Sequence, residues 1–422
     1  MKSPSPNRLN RRLRAGAAAL AFIGTLWGGA AQAAGTAAGT SISNLATLQY
    51  SVGGVGQAAI GSSAAGNTAG AGTATSFVVD NKVNLTLVEV GGAVTIMTLN
   101  GQNNATRFTL TNTGNSPQGY NLTAANFAGG VIDGVADTLD VTLTGGTNGI
   151  FYDTNGNNVY DPGTDLIVTA NNIPTLAADA SVTLFVVATA PAAGANGAQA
   201  NITLTAVTTT NNTSTPVVES ATDTAGIDIV FADAVTVEAN FVGASAARDA
   251  TAVARDAYRL NTPILTVSKT STLLCDPFNG VTAPKNIPGA MIRWTITVAN
   301  TGSSSATLTS IGDALNAATT HDANLVAPTS AATCLSGAPG VPESATGRGF
   351  QIEYSVASAV RPLGGTGGYM TGAADADGAT IAGQAVTIDF TTALPAGGTG
   401  AYQAGEIKAG ETATITFNVT IN

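Results

Sequence analysis

"RFTLTNTGNS" (107–116) and "RWTITVANTGSS" (293–304) share one plan: alternating Thr and apolar residues running into Asn-Thr-Gly. Alternation with period two puts the apolar side chains on one face of a strand, and Asn followed by Gly tolerates the positive φ of a tight exit turn. Each stretch follows an opening strand of similar character, "VNLTLVEV" (83–90) or "ILTVSKTS" (264–271). The shared order predicts two related modules.

The same alternation recurs in "LATLQYSV" (45–52), "ASVTLFVVAT" (180–189) and "ANITLTAVT" (200–208), separated by Gly, Asn, Asp or Pro clusters. Strands with one apolar face need a second sheet to cover it, so the expected fold is all-β: tandem antiparallel β-sandwiches of the immunoglobulin-like type. Composition agrees, with 50 glycines, 5% aromatic and 10% charged residues in 422. Such a mixture favours strands and turns over long helices.

Residues 1–33 read as a secretory signal peptide: a basic segment with Arg8, Arg11, Arg12 and Arg14, an apolar run from Ala15 to Gly29, and a small-residue cleavage site at Ala31-Gln32-Ala33. Export to the cell surface or beyond is the expectation. That segment carries five of the 16 basic residues and no acid, leaving 11 basic against 26 acidic side chains, a net charge of −15. A surface of that sign repels nucleic acid and attracts divalent cations. No second apolar run is long enough to span a bilayer, so no membrane span is expected in the mature chain.

Beyond the signal, residues 34–237 are expected to form the N-terminal β-sandwich region, as one unit or two packed subdomains, and 263–422 the second module. Between them "EANFVGASAARDATAVARDAYRL" (238–260) replaces Thr/Val alternation with Ala, Arg and Asp at helical spacing. It is read as a linker, 238–262, holding a short helix. The strand with Lys269, the "TVANTG" exit (297–302) and the closing "IKAGETATITFNVTIN" (407–422) resemble the bacterial surface repeat known as DUF11. That resemblance covers 263–422 and implies an immunoglobulin-like, secreted or surface module without an assigned activity.

"FYDTNGNNVYDPGTD" (151–165) places oxygen-bearing groups at alternate positions: Asp153, Asn155, Asn157, the Val159 carbonyl and Asp161. Tight loops aim oxygens at a calcium ion by this alternation, and the stretch resembles the D-x-N-x-N-G loops of bacterial surface proteins. Two positions depart from the pattern. Asn158 stands where glycine makes the sharp turn, and Thr164 where glutamate supplies two oxygens, with Asp165 next to it as the substitute carboxylate. The expectation is a weak structural calcium site, with a turn that binds nothing as the alternative. Asp375 and Asp377 form a second acidic turn, read as a solvated loop.

Cys275 and Cys334, the two cysteines of an exported chain, are expected to pair as a disulfide stapling a loop. Enzymatic chemistry is not expected. The single histidine, His321, is read as exposed in a polar loop beside Asp322, and there is no nucleophile elbow or zinc spacing. A Lys269 crosslink to Asn418 or Asn422 is weighed against an edge lysine that discourages aggregation. The function expected is a secreted or surface structural or adhesive protein, with a cell-surface or matrix partner and self-assembly through strand edges as partner classes. The alternative is a carbohydrate-binding or carbohydrate-active extracellular protein.

Overall fold

The computed structural model describes residues 35–422, apart from 146–147, 170–174, 211–212, 236–244, 331–333, 335–340, 344–346 and 356–360. The signal segment and residues 238–244 of the expected linker lie outside the described residues. The chain is all-β and built mainly from antiparallel sheets, with two main hydrophobic cores among the described residues.

In the first sandwich one sheet runs in the order Leu166–Ile167, Ile150–Tyr152, Ser181–Thr189, Asn104–Asn112, Leu85–Glu89. The facing sheet runs Thr175–Leu176, Gln118–Asn126, Gln199–Thr209, Thr251–Leu260, Thr95–Met97, its last pair being parallel. Alternation works as the Thr-rich sequence predicts: Phe108 and Leu110 turn inward while Arg107 and Thr109 do not, and opposite them lie Tyr120, Ile202 and Leu204. The Tyr258 hydroxyl crosses the core to donate to the Val186 carbonyl at 2.7 Å, tying the sheets together. Tyr258→Phe should therefore cost about 1 kcal/mol by removing that hydrogen bond, measured by urea unfolding. A change below a few tenths would mean that another donor replaces the hydroxyl.

The linker reading of 238–262 is corrected by the Thr251–Leu260 strand, ten residues long and inside the second sheet. It pairs with Gln199–Thr209 from Gln199↔Arg259 to Val207↔Thr251. Its core face is Ala252, Ala254, Tyr258 and Leu260. Alanine is a strong helix former, but small side chains also let two sheets approach closely, and the tertiary demand overrides the local preference. Strands of the first sandwich end at Leu260, and those of the second begin at Leu265.

The second sandwich has a sheet ordered Leu265–Cys275, Met291–Asn300, Thr412–Ile421, Phe350–Ser355, Tyr369–Met370. A three-stranded sheet of Ser310–Ala314, Ala385–Asp389 and Ala379–Ala382 shares its core, where Phe350, Phe390, Ile415 and Phe417 are fully or almost fully buried. Cys275 and Cys334 are disulfide-bonded, with Cα atoms 5.9 Å apart, and pack with Met291 and Val326 in a small core of their own.

"LATLQYSV" departs from expectation in another way. Its strands belong to a two-stranded arm outside either sandwich: Ser41–Asn44 pairs with Thr75–Val78, Thr47–Leu48 with Ile60–Gly61, and Ser51–Val52 with Val55–Gly56. Gly53 and Gly54, both with positive φ, make the turn at its tip. Its side chains are almost all exposed, so here alternation specifies strand without specifying burial.

Candidate functional site

The loop of 153–165 joins two strands at the edge of the first sandwich, with Phe151↔Ile167 and Tyr152↔Leu166 in register below it. Its backbone is held by its own carboxylates. Asp153 accepts from the N–H groups of Gly156 and Asn158, both at 2.8 Å. Asp165, buried, accepts from Thr154 at 3.0 Å and Asp161 at 2.8 Å, strapping the two ends of the loop together.

Above this frame Asn155 and Asn157 both donate their side-chain amides to Asp161 Oδ2, at 2.8 and 2.7 Å. These amides, Asn155 first, hold the Asp161 carboxyl below its usual range. The Asn157 Oδ1 accepts from the Val159 N–H at 2.8 Å, while the Val159 side chain stands exposed. Asn158 adopts φ +62°, the left-handed conformation that the glycine position of such loops demands, and Gly156 adopts +71°. Arg107 donates to the Asn158 carbonyl at 3.0 Å, and Tyr160 packs its ring 5.0 Å from Phe151, anchoring the loop to the sheet. The structure thus gathers Asp153, Asn155, Asn157, Val159, Asp161 and Asp165 into one hydrogen-bonded network. The three carboxylates are hard oxygens of the kind calcium takes, while Asn155 and Asn157 face Asp161 through their amide nitrogens and Val159 joins through its N–H.

A tighter carboxylate group lies elsewhere. Among the described residues, Asp80, Asp223 and Asp228 each bring an oxygen within 4.8 Å of the others. Parallel pairing of Asn81–Val83 with Ile229–Phe231 brings them together, and Asp80 Oδ1 accepts from the Asp228 N–H at 2.9 Å. Both Asp228 oxygens are bonded to Thr224, at 2.6 and 3.0 Å. No local spacing could have found this group, because its halves come from distant parts of the chain.

Between the 153–165 loop and the sheets lies a crevice of about 350 Å³, lined by Glu89, Arg107, Asn158, Tyr160 and Asp256 among others. Asp256 sits on the inward face of its strand, 1% exposed, bonded through the neighbouring Ala257 N–H at 2.6 Å. Burial, with a contribution from the Glu89 charge, pushes its carboxyl up to about 8. Glu89 is raised as well by burial, although the Gly92 N–H and Arg107 oppose the shift. The Arg107 Nε faces no hydrogen-bond partner.

The remaining sequence candidates resolve as structure. Lys269 lies across from Ile296 and, one strand further, Ile415, three residues along from Asn418, or about 10 Å of strand. Its Nζ is 2.5 Å from Asp313 and 4.3 Å over the Trp294 ring, whereas Asn418 is held by Arg293 and the Val326 carbonyl. The structure therefore does not bring Lys269 together with Asn418. His321 is not loop decoration: it ends a strand paired with Thr412–Ile421, stacks 4.5 Å from Phe350, and has its basicity lowered by burial. Asp375 and Asp377 bind the Thr371 hydroxyl and N–H, at 2.7 and 2.6 Å, as an ordinary turn.

Fold and site together define a tandem β-sandwich protein with an oxygen-rich edge loop. No protein-family model matches the chain, and no curated protein matches it. Among solved structures, a protein from Corynebacterium diphtheriae described as membrane anchored is 8% identical, over 80% of this chain and 50% of its own, with a TM-score of 0.17. This chain thus spans half that protein's length. A chain from a chaperone–tip adhesin complex of CFA/I fimbriae biogenesis is 11% identical, over 81% of this chain and 91% of its own, with a TM-score of 0.18. Likeness at that level carries no functional argument. No helix among the described residues is long and apolar enough to cross a membrane.

Proposed function

We propose that this chain is an exported, non-catalytic structural or adhesive component of a bacterial surface, its second module a DUF11-like repeat, and that the 153–165 loop holds calcium to stiffen the first sandwich. The observation that supports the calcium reading is the gathering of the Asp153, Asp161 and Asp165 carboxylates into one short loop whose Asn158 already has the left-handed turn. A site with only three carboxylates on a sheet edge binds at roughly 10⁻⁴ to 10⁻³ M, the range of extracellular modules.

At roughly 10 mM calcium, that affinity gives about 1.4 to 2.7 kcal/mol of added stability. The melting temperature should therefore rise on replacing EDTA with calcium. The rise should vanish in the Asp153→Ala, Asp161→Ala double variant. Equal melting temperatures with and without calcium in the parent protein would overturn the reading.

The carbohydrate alternative has one observation in its favour, the crevice where Tyr160 and Arg107 stand beside two carboxylates. Titration of the chain with oligosaccharides, followed by the amide resonances of Asn158 and Tyr160, separates it from the structural reading.

A further inference from the structure

The arm of residues 41–78 is a ribbon of two-stranded pairs, joined by a third segment only where Gly70 and Thr73 bond to Gly61 and Ser62, and its side chains are almost all exposed. An isolated two-stranded hairpin is marginal in water, and needs a third strand or a covering face to be stable. Leu48, Val52, Val55 and Phe77 are each about 60% exposed on it. Its strands pair only with one another.

The second sandwich ends on a complementary feature. Leu265–Cys275, eleven residues long, has one neighbour among the described residues, and its first eight residues are exposed. Val267 is 62% and Leu265 45% exposed. Proteins usually protect such an edge with a lysine pointing into solvent. Here the lysine is disarmed, because Lys269 folds back over Trp294 and is neutralised by Asp313.

Charge selects the occupant. No Asp, Glu, Lys, Arg or His occurs from 35 to 79, and Lys269 is the single charged residue of the edge strand, while the chain as a whole carries −10. Two copies repel one another over most of their surface, and least where a neutral arm meets a neutral edge. We infer that the arm of one copy lies along the free edge of Leu265–Cys275 in a second copy, extending its sheet by strand addition. The contact is heterologous, joining different surfaces of the two copies. It therefore propagates head to tail into an open chain rather than closing as a dimer.

This deepens the structural role proposed above by naming the partner, and it is independent of calcium. The test uses the full chain in three forms, each checked for native circular dichroism: the parent, an arm variant (Leu48→Lys, Val52→Lys) and an edge variant (Leu265→Lys, Val267→Lys). Sedimentation of the parent up to about 100 μM, some hundred times a micromolar Kd, should show mass rising with concentration. Each variant alone should stay monomeric, and an equimolar mixture should give a doubled mass and nothing larger, since one intact arm and one intact edge remain. A monomeric parent, a mixture that stays monomeric, or self-association of either variant alone would overturn the inference. A monomeric parent whose melting temperature still rises with calcium would remove this inference alone.

Discussion

Asp256→Asn should stabilise the first sandwich by about 4 kcal/mol at pH 7 while changing it little near pH 4. The folded state holds the Asp256 proton up to about pH 8, whereas the unfolded chain releases it near its ordinary value of 3.8. Below that ordinary value both states are protonated and the group is neutral to stability. As pH rises through the window from about 4 to 8 the unfolded state alone gives up the proton, so stability falls, by about 1.4 kcal/mol per pH unit. Asparagine keeps the acceptor for the Ala257 N–H and removes the titration. Urea midpoints at a series of pH values should therefore slope downward between pH 4 and 8 in the parent and run nearly flat in the variant. Glu89→Gln, which removes the smaller cause of the shift, should flatten the slope only in part. A parent slope near zero in this window would show that Asp256 ionises in the fold.

Replacing both Cys275 and Cys334 with serine should lower the stability of the second sandwich by about 4 kcal/mol, the chain-entropy value for a closed loop of this size. The bond separates residues 59 apart in sequence and lies beside Met291 and Val326, so serine hydroxyls would also enter an apolar cluster. The effect should be confined to one half of the chain, because the two sandwiches have separate cores. In denaturant the transition of the second module should move to lower concentration and that of the first should stay in place. Equal movement of both would show that the sandwiches unfold as one cooperative unit.

Legibility in the sequence followed side-chain size and distance. The strands 104–112, 181–189 and 291–300 announce themselves because Thr alternates with large apolar residues. Thr251–Leu260 does not, since its inward face is built on alanine and includes Asp256, and both features argue for a helix or a surface when read locally. That residues 153–165 form one hydrogen-bonded loop was legible because all its polar side chains fall within thirteen residues. Asp80 with Asp223 and Asp228 was not, because only the parallel pairing of two short distant strands joins them. Asp256 and Glu89 share a crevice only because strands distant in sequence, from the two facing sheets, meet there. The exposed arm shows the limit of periodicity itself: alternation states which side chains share a face, and nothing about whether anything lies against that face.

The order of the second sandwich's main sheet has a mechanical consequence. Leu265–Cys275 and Thr412–Ile421 flank the same strand, Met291–Asn300, and each is antiparallel to it, so the two run in one direction. Leu265 lies across from Asn300, and Thr412 from Ala299, which puts the start of both strands at one end of the sheet and Cys275 and Ile421 at the other. A pull between Leu265 and Ile421 is thus directed along the strands, over about 30–35 Å. It loads the ladder hydrogen bonds in shear, all nine register pairs of the Met291–Asn300 and Thr412–Ile421 ladder together, instead of unzipping them one after another. Under tension between these two ends, the sheet resists along its length.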